Sequence, residues 1–376
     1  MSPKQTIKSM SALFIAMAFM FIGNALVVSS VGIILKQREV SEIAIGAISA
    51  FFFLGATFST ITSHRIIAKV GHIRAFGICS AMFSICIILH SLSENIYLWA
   101  ILRFFLGFAY YGLLMIIESW LNQKAKNTIR SRVLSFYEVV FYLSFGGGIL
   151  LLGFDLDAHT IFMVAACLIM FSSLPLNLLR IKEPLIPAKT PISIPKIFSI
   201  APLAIAGSFI AGMVINGFFS MASLFGLNLG LKVSEVSFFM FSAMFGGFVW
   251  QILIGRISDR FGRKIAIMLS AFIAFIASLG FLFGDNIFWH CVFAFLLGVG
   301  IFCIYALSLA RANDMLKDKS KSVETSRTVL FCYSLGSLIS PLILGILMQI
   351  FGIVGFVGFY AVSLAFLFIF ALNKPR

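Results

Sequence analysis

Residues 255–264 read GRISDRFGRK, a short basic stretch between two long apolar runs, residues 234–256 and 264–283. Four of its ten residues are positively charged, and Asp259 is negatively charged. Crossing about 30 Å of hydrocarbon takes about 20 helical residues, so apolar runs of this length predict membrane-spanning helices. The charged stretch between them then marks a turn at a membrane surface.

The composition of the whole chain agrees with this interpretation. Of its 376 residues, 61% are hydrophobic and only 11% are charged, and the mean hydropathy is +1.07. Soluble domains are about 45–50% apolar and about 25% charged. The chain is therefore expected to be an integral membrane protein rather than a soluble one.

Apolar runs of spanning length recur along the chain. In a bilayer every backbone amide must be bonded within its segment, so such runs form helices. The sequence predicts an all-α membrane protein of twelve transmembrane helices. The predicted spans are 10–35, 43–66, 75–92, 96–121, 131–153, 159–179, 199–226, 234–256, 264–283, 287–311, 323–348 and 354–372.

The basic residues are distributed unevenly between the two ends of these spans. Of the 28 Lys and Arg residues, 23 lie at the chain termini or in alternate connections, and three (Lys36, Arg38 and Lys232) lie in the other connections. Basic residues are retained on the cytoplasmic side, so both termini are predicted to be cytoplasmic. The net charge of +14 then reflects membrane topology and does not indicate nucleic-acid binding.

The chain divides into two similar halves. A polar connection with four prolines separates the sixth and seventh spans and predicts two six-helix bundles, residues 1–180 and 199–376, joined by a linker at 181–198. An offset of 191 residues pairs Gly107 with Gly298, and nearly the same offset pairs Asn24 with Asn216. Repeats of this kind typically place a solute site between the halves, near the middle of the membrane.

Two motifs of the sequence resemble those of a known family. Gly255-Arg-Ile-Ser-Asp259-Arg260-Phe-Gly262-Arg263-Lys264 closely resembles motif A, G-x-x-x-D-R-x-G-R-K, of the major facilitator superfamily. Arg103-x-x-x-Gly107-x-Ala109 is similar to its motif B, and segments near His72 and Glu118 look like the YcaD-like branch of bacterial transporters. The resemblance implies the fold of that superfamily.

The motif A residues also suggest a gate on the cytoplasmic side. The Asp259 carboxylate is expected to face the N-terminus of the fifth helix near Ser131, where free amides and the helix dipole attract an anion. Arg260 and Arg263 would hold the carboxylate, and Gly255 and Gly262 would allow a close turn. The alternative is a capped turn without a gating role. The first half has Ala68 in place of Asp259, which puts a second, symmetric gate in doubt.

The resemblance implies that the first, fourth, seventh and tenth helices line the solute cavity. Their polar and aromatic side chains are the candidate substrate-binding residues: Asn24, Arg103, Tyr110, Tyr111, Asn216 and Tyr305. Each also has a structural interpretation, because Asn side chains bond neighbouring membrane helices, tyrosines pack, and an arginine can bond backbone carbonyls.

Glu138 is the acidic residue deepest in a predicted span and is the candidate proton carrier. Lost hydration there favours its protonated form. By resemblance to motif B, Arg103 would assist proton transfer. Structural pairing with a basic group is the alternative for Glu138, and the shallower Glu118 is expected to form an interfacial salt bridge.

These features predict a secondary active transporter of the bacterial inner membrane. It would move a small organic solute by alternating access, coupled to protons, as a monomer. The chain carries no ATP-binding loop, dinucleotide fingerprint or metal-ligand spacing, so no cofactor, metal or enzyme activity is expected. The alternatives to this predicted function are a membrane-embedded enzyme and a non-transporting receptor.

The direction of transport depends on a finer motif. Drug–proton antiporters of the superfamily carry G-x-x-x-G-P-x-x-G-G in the fifth helix, whereas this chain has Gly146-Gly147-Gly148 without a proline there. The eleventh helix contains Pro341, which would bend it as a hinge. Uptake is therefore favoured, and multidrug or metabolite efflux is the alternative.

Overall fold

The computed structural model describes residues 10–124, 130–154, 156–178, 194–316, 318 and 321–374. Within these residues, twelve helical spans are long and apolar enough to cross a membrane, which confirms the predicted number. The described part of the chain is therefore that of an all-α membrane protein.

Fourteen α-helices build the described part of the chain. In the first half they are α1 (Ser11–Gln37), α2 (Glu42–Val70), α3 (His72–Leu92), α4 (Ile96–Lys124), α5 (Arg130–Leu150) and α6 (Ala158–Leu178). In the second half they are α7 (Ile194–Ile200), α8 (Pro202–Asn228), α9 (Val233–Phe261), α10 (Arg263–Gly280), α11 (Ile287–Ile301), α12 (Ile304–Asp314), α13 (Ser322–Phe351) and α14 (Ile353–Leu372).

Local sequence signals explain where several helices begin. The Asn286 side chain accepts a 3.3 Å hydrogen bond from the Trp289 amide and caps α11. The Glu235 carboxylate accepts a 2.8 Å bond from the Lys232 amide at the start of α9. Pro202 occupies the first turn of α8, where its missing N–H has no cost.

The tenth predicted span is interrupted. Residues Ile287–Asp314 form one apolar stretch, but a turn at Phe302 and Cys303 divides it into α11 and α12. The Cys303 thiol lies 3.1 Å from the Ser270 hydroxyl of α10 at this turn. The short helix α7 is a further element that the hydropathy pattern did not indicate.

The described residues fall into two compact units. One contains those of Met1–Val31 and Phe51–Lys189, and the other those of Gly32–Ala50 and Thr190–Arg376. The hairpin Gly32–Ala50, which joins α1 to α2, thus packs with the second half of the chain. The predicted division at 181–198 stays a prediction, because residues 179–193 lie outside the described residues.

Close helix packing repeats inside the two units at the offset of 191 residues. In the first unit, a Cβ added at Gly107 of α4 would collide with the Phe52 carbonyl oxygen of α2. In the second, a Cβ at Gly298 of α11 would collide with the Ala243 carbonyl oxygen of α9. The two glycines are related by this offset, and so are the two residues that they contact. The internal repeat therefore preserves a backbone contact that only glycine permits.

The basic turns of the two halves also share one conformation. Gly71 lies between α2 and α3 with a φ of 83°, and Gly262 lies between α9 and α10 with a φ of 91°. Each donates a 2.9 Å hydrogen bond to a carbonyl four residues earlier. Left-handed backbone of this kind favours glycine, so the G at this motif position is a requirement of the turn.

Candidate functional site

Arg103 lies buried on α4 in the first unit. It is only 3% exposed, and its Nη2 donates a 3.4 Å hydrogen bond to the Val27 carbonyl oxygen of α1. The guanidinium also lies 5.8 Å from the centre of the Phe52 ring, and its Nε has no hydrogen-bond partner. The predicted contact with carbonyls of the first helix thus exists, but it satisfies only part of the guanidinium.

An aromatic wall continues from Arg103 along the same face of α4. The Tyr110 ring lies 6.1 Å from Phe52, 6.2 Å from Phe83 of α3 and 5.8 Å from Tyr111. Tyr110 is buried and Tyr111 is half-buried. Arg103 and Tyr110 therefore share the Phe52 ring as a neighbour, and Tyr111 contacts Tyr110.

Two carboxylates of α4 and α5 interact electrostatically in the first unit. Glu138 of α5 lies close enough to Glu118 of α4 for their charges to repel each other. Tyr137 interacts electrostatically with both carboxylates and with Tyr110 and Tyr111. The structure thus groups Glu118 with Glu138, whereas sequence reasoning had treated Glu118 as a separate interfacial residue.

Asn24 of α1 is 3% exposed. Its Oδ1 is buried and has no hydrogen-bond partner. It lies three residues before Val27, the residue whose carbonyl oxygen contacts Arg103, so the two positions share a face of α1. The amide of Asn24 and the guanidinium of Arg103 are therefore two incompletely bonded polar groups near one stretch of α1.

Asn216, the counterpart of Asn24, has a different environment in the second unit. Its Nδ2 donates a 2.7 Å hydrogen bond to the Ser337 hydroxyl of α13. The side chain also interacts with Tyr333, whose ring lies 4.7 Å from that of Tyr305. Asn216 and Tyr305 thus belong to one cluster, in which Asn216 makes the helix-to-helix bond that was its structural alternative.

The motif A charges form a network at the end of α9. Arg263 donates from Nη1 to the Asp259 carboxylate at 2.7 Å and from Nε to Asp314 at 3.1 Å. Its Nη1 also donates to the Ser258 hydroxyl at 2.7 Å. The Asp259 side chain remains 72% exposed. Its expected contact with the start of the fifth helix stays a prediction, because side chains 122–132 lie outside those described.

The remaining motif A residues have distinct roles. The guanidinium of Arg260 lies 5.3 Å from the centre of the Phe261 ring. The close turn forms at Gly262 alone, since Gly255 lies within α9 and a Cβ there would meet no described atom within 4 Å. The expectation that Gly255 contributes to the turn is therefore wrong.

Sequence reasoning missed a polar cluster around Glu42, the first residue of α2. The Glu42 carboxylate accepts a 2.7 Å hydrogen bond from Asn228 at the end of α8 and pairs with Lys36 at 3.2 Å. The Glu42 amide donates a 2.9 Å bond to Gln349 of α13. These contacts attach the Gly32–Ala50 hairpin to two helices of the second unit.

The backbone of the hairpin approaches α13 as closely as its side chains do. A Cβ at Gly46 would collide with the Pro341 carbonyl oxygen, and one at Gly345 would lie 2.7 Å from the Glu42 carbonyl oxygen. A cavity of about 420 Å³ adjoins the cluster. Its lining residues are Lys36, Glu39, Val40, Ser41, Glu42 and Gln349.

The signal for this cluster in the sequence is weak. An acidic residue at the first position of an apolar helix is usually a favourable partner of the helix dipole, so Glu42 did not stand out. Yet Glu42 is only 7% exposed, and one of its carboxylate oxygens is buried without a hydrogen-bond partner. Only the contacts with Asn228 and Gln349 reveal that it joins distant helices.

Comparison with protein families identifies one match across the chain. The model of the Major Facilitator Superfamily matches residues 13–323 and 251–376. Two curated relatives are uncharacterized MFS-type transporters: YcaD of Escherichia fergusonii and YE1530 of Yersinia enterocolitica. Each is 25% identical to this chain. The first alignment covers 81% of this chain and 80% of the relative, and the second covers 84% and 82%.

Solved structures share the fold at low sequence identity. A point mutant of the nucleoside transporter NupG is 14% identical with a TM-score of 0.79, covering 96% of this chain and 98% of that one. A bacterial homolog of the human lysosomal transporter Spinster, in an inward-facing and occupied conformation, is 15% identical with a TM-score of 0.78, covering 99% and 96%. These similarities show that the chain has the fold of these transporters.

Proposed function

The chain belongs to the major facilitator superfamily and is a transporter of that family, and we propose that it couples the movement of a small organic solute to protons. The proposed location is the cytoplasmic membrane of a bacterium, with both chain termini in the cytoplasm. Motif A and the internal repeat support alternating access, in which the solute site opens to one side of the membrane at a time.

The feature that supports proton coupling is the position of Glu138 within α5, in electrostatic range of Glu118 of α4. Ionisation of both carboxylates is unfavourable, because their negative charges repel each other, and Glu138 is half-buried within its span. Such a pair is suited to holding and releasing one proton. The neighbouring Tyr137 interacts electrostatically with both carboxylates and with Tyr110 and Tyr111.

The proposed solute site includes further residues of α1 and α4 in the same unit. Arg103 and Asn24 offer incompletely bonded polar groups, and the tyrosines of α4 offer ring faces. In the second unit, Asn216 and Tyr305 are proposed to act together through Tyr333. Proton binding and solute binding would then influence each other, which coupling requires.

Alternating access also requires a contact that forms in one state and breaks in another. The attachment of the Gly32–Ala50 hairpin through Glu42 is proposed to be such a contact at the end of the spans away from the termini. The Asp259 network is proposed to serve the opposite end. Both are made of charged or amide groups, whose bonds can be exchanged for bonds to water.

Uptake by a monomer is the proposed mode of action. The proposed direction, uptake, rests on the absence of a proline beside Gly146-Gly147-Gly148, where drug–proton antiporters of the superfamily carry one. Efflux remains the alternative direction and is distinguished by the same experiment that tests transport.

The full chain should be reconstituted in liposomes that contain a pH-sensitive dye. Small organic metabolites are then added outside, one at a time, without an imposed gradient. A solute that enters with protons will acidify the lumen, whereas exchange for protons will make it alkaline. Protein-free liposomes control for leakage of weak acids and bases.

The outcomes separate the competing functions. Solute-dependent acidification supports proton-coupled uptake, and alkalinisation supports antiport. Solute entry without any pH change would contradict proton coupling. Solutes that bind the purified protein but never cross the membrane would indicate a receptor rather than a transporter.

A further inference from the structure

The guanidinium of Arg103 is a buried positive charge. Arginine stays protonated at every physiological pH, and its side chain here is only 3% exposed. Removing such a charge from water is costly unless an opposite charge or a full set of hydrogen bonds replaces the lost hydration. The contacts of Arg103 therefore show what the site still lacks.

The described surroundings do not neutralise this charge. Within the part of the chain that the structure describes, no carboxylate forms an ion pair with Arg103. The bond to Val27 is long at 3.4 Å, near the limit for a hydrogen bond, and the Nε has no partner. His90 interacts electrostatically with Arg103, but a protonated His90 would repel the guanidinium rather than neutralise it. An anion would supply the missing acceptor and the opposite charge together.

Asn24 adds a second requirement. Its buried Oδ1 is an acceptor without a donor, one turn of α1 before Val27. A ligand that satisfied it would present an N–H or O–H group to the Asn24 side chain. The two unsatisfied groups together define an acid with a neighbouring donor.

We infer that the transported solute carries an anionic oxygen group, a carboxylate or phosphate, that binds Arg103, and a hydroxyl or amine that bonds Asn24. This inference rests on the proposed transport function and names the substrate class of the same site. The planar guanidinium suits such a group, because it can donate two parallel hydrogen bonds to one carboxylate or phosphate.

The first test needs no knowledge of the solute. If the anion is missing in the ligand-free protein, Arg103→Met removes an uncompensated buried charge while keeping the volume of the side chain, so the melting temperature in phospholipid-free detergent should rise. Arg263→Met is the matched control, because Arg263 is paired with Asp259 and Asp314 and its removal should not stabilise. A lower melting temperature of Arg103→Met would overturn the inference, since it would make Arg103 a structural residue.

The second test uses matched probes on the purified full chain. The pairs are lactate with lactamide, benzoate with benzamide, and glycerol 3-phosphate with glycerol. At least one acid should raise the melting temperature of the wild type, while its neutral partner should not. Arg103→Met should weaken the binding of that acid on the order of 100-fold. Asn24→Leu should weaken the binding of lactate or glycerol 3-phosphate more than that of benzoate, because benzoate has no hydroxyl to donate to Asn24. Stabilisation by none of the acids, or equal stabilisation of Arg103→Met, would overturn the inference.

A lipid headgroup is the other source of an anion, so the melting temperatures are also measured in nanodiscs with and without anionic lipid. Anionic lipid that stabilises the wild type but not Arg103→Met, without any effect of the acids, would assign the site to lipid and overturn the inference. Acids that bind through Arg103 but are never transported would leave the inference intact and contradict the proposed function.

Discussion

The side-chain amide of Asn228 donates a 2.7 Å hydrogen bond to the carboxylate of Glu42, across 186 residues of sequence. Lys36 completes an ion pair with the same carboxylate oxygen at 3.2 Å. The bond therefore attaches the hairpin between α1 and α2 to the end of α8, and a cavity adjoins Glu42 on the hairpin.

Substituting Glu42 should release this hairpin. Glu42→Gln removes the ion pair with Lys36 and weakens a hydrogen bond to a charged acceptor, for a loss of roughly 1–3 kcal/mol. A cysteine at Ser223, which is fully buried with its hydroxyl facing Gly32, reports the change. Its alkylation by a membrane-impermeant maleimide should accelerate about 5-fold or more in the variant.

Glu39→Gln is the matched control for this experiment. Glu39 lines the same cavity but is exposed and forms no ion pair with a described residue. Its substitution should leave the alkylation rate unchanged. Equal rates in both variants and the wild type would show that the Glu42 contacts do not hold the hairpin.

Glu138 is predicted to carry the coupled proton. Glu138→Gln mimics the protonated carboxyl and also removes the repulsion with Glu118. Accumulation of solute against its gradient should be lost, while exchange of solute between two loaded compartments should continue. Both activities are measured in the same proteoliposomes with radiolabelled solute, once a solute is identified.

Glu118→Gln separates the two members of the pair. If they share one proton, this variant should also impair accumulation, and the double variant should be no worse than either single one. Full accumulation by Glu138→Gln would exclude it as the carrier. Loss of solute binding would instead make it a binding or structural residue.

Asp259 is predicted to close the cytoplasmic side. Asp259→Asn should weaken its charge-assisted bonds and shift the population towards the inward-facing state. A cysteine at Leu231, beyond the end of α8, should then be alkylated more slowly from the outside. Asp314→Asn serves as the control, because Asp314 pairs with the same Arg263 at 3.1 Å but lies outside motif A. The same effect in both variants would reduce the motif to a stabilised turn.

The repeated glycine contacts should be intolerant of a methyl group. Gly107→Ala and Gly298→Ala each place a Cβ against a carbonyl oxygen of a neighbouring helix and should destabilise the protein by roughly 1–3 kcal/mol. Gly77 and Gly358 also lie within helices, but a Cβ there meets no described atom within 4 Å. Alanine at these control positions should be neutral or slightly stabilising in thermal unfolding, because it favours helix by about 1 kcal/mol.

The topology can be tested with reporter fusions. The distribution of basic residues predicts that fusions at Lys189 and after the C-terminus report cytoplasm, and that those at Glu94 and Asp285 report the opposite side. Alkaline phosphatase and a fluorescent protein give complementary signals. A C-terminus outside the cytoplasm would contradict the predicted orientation of all twelve spans.

The sequence was sufficient to predict the number of spans, the internal repeat and motif A. The length of an apolar run and the φ required at Gly262 are local properties, so neighbouring residues suffice to predict them. The pairing of Gly107 with Gly298 was visible for the same reason, since a repeat copies residues together with their contacts.

The partners of the polar side chains were decided only by the tertiary structure. Whether Asn216 bonds Ser337, or Glu42 bonds Asn228, depends on which helices adjoin and how each is rotated about its axis. In a membrane protein the hydropathy pattern gives little information about this rotation, because residues that face lipid and residues that face other helices are both apolar. The sequence alone therefore determined that the chain crosses the membrane twelve times, and the packing of helices determined which charges and amides meet.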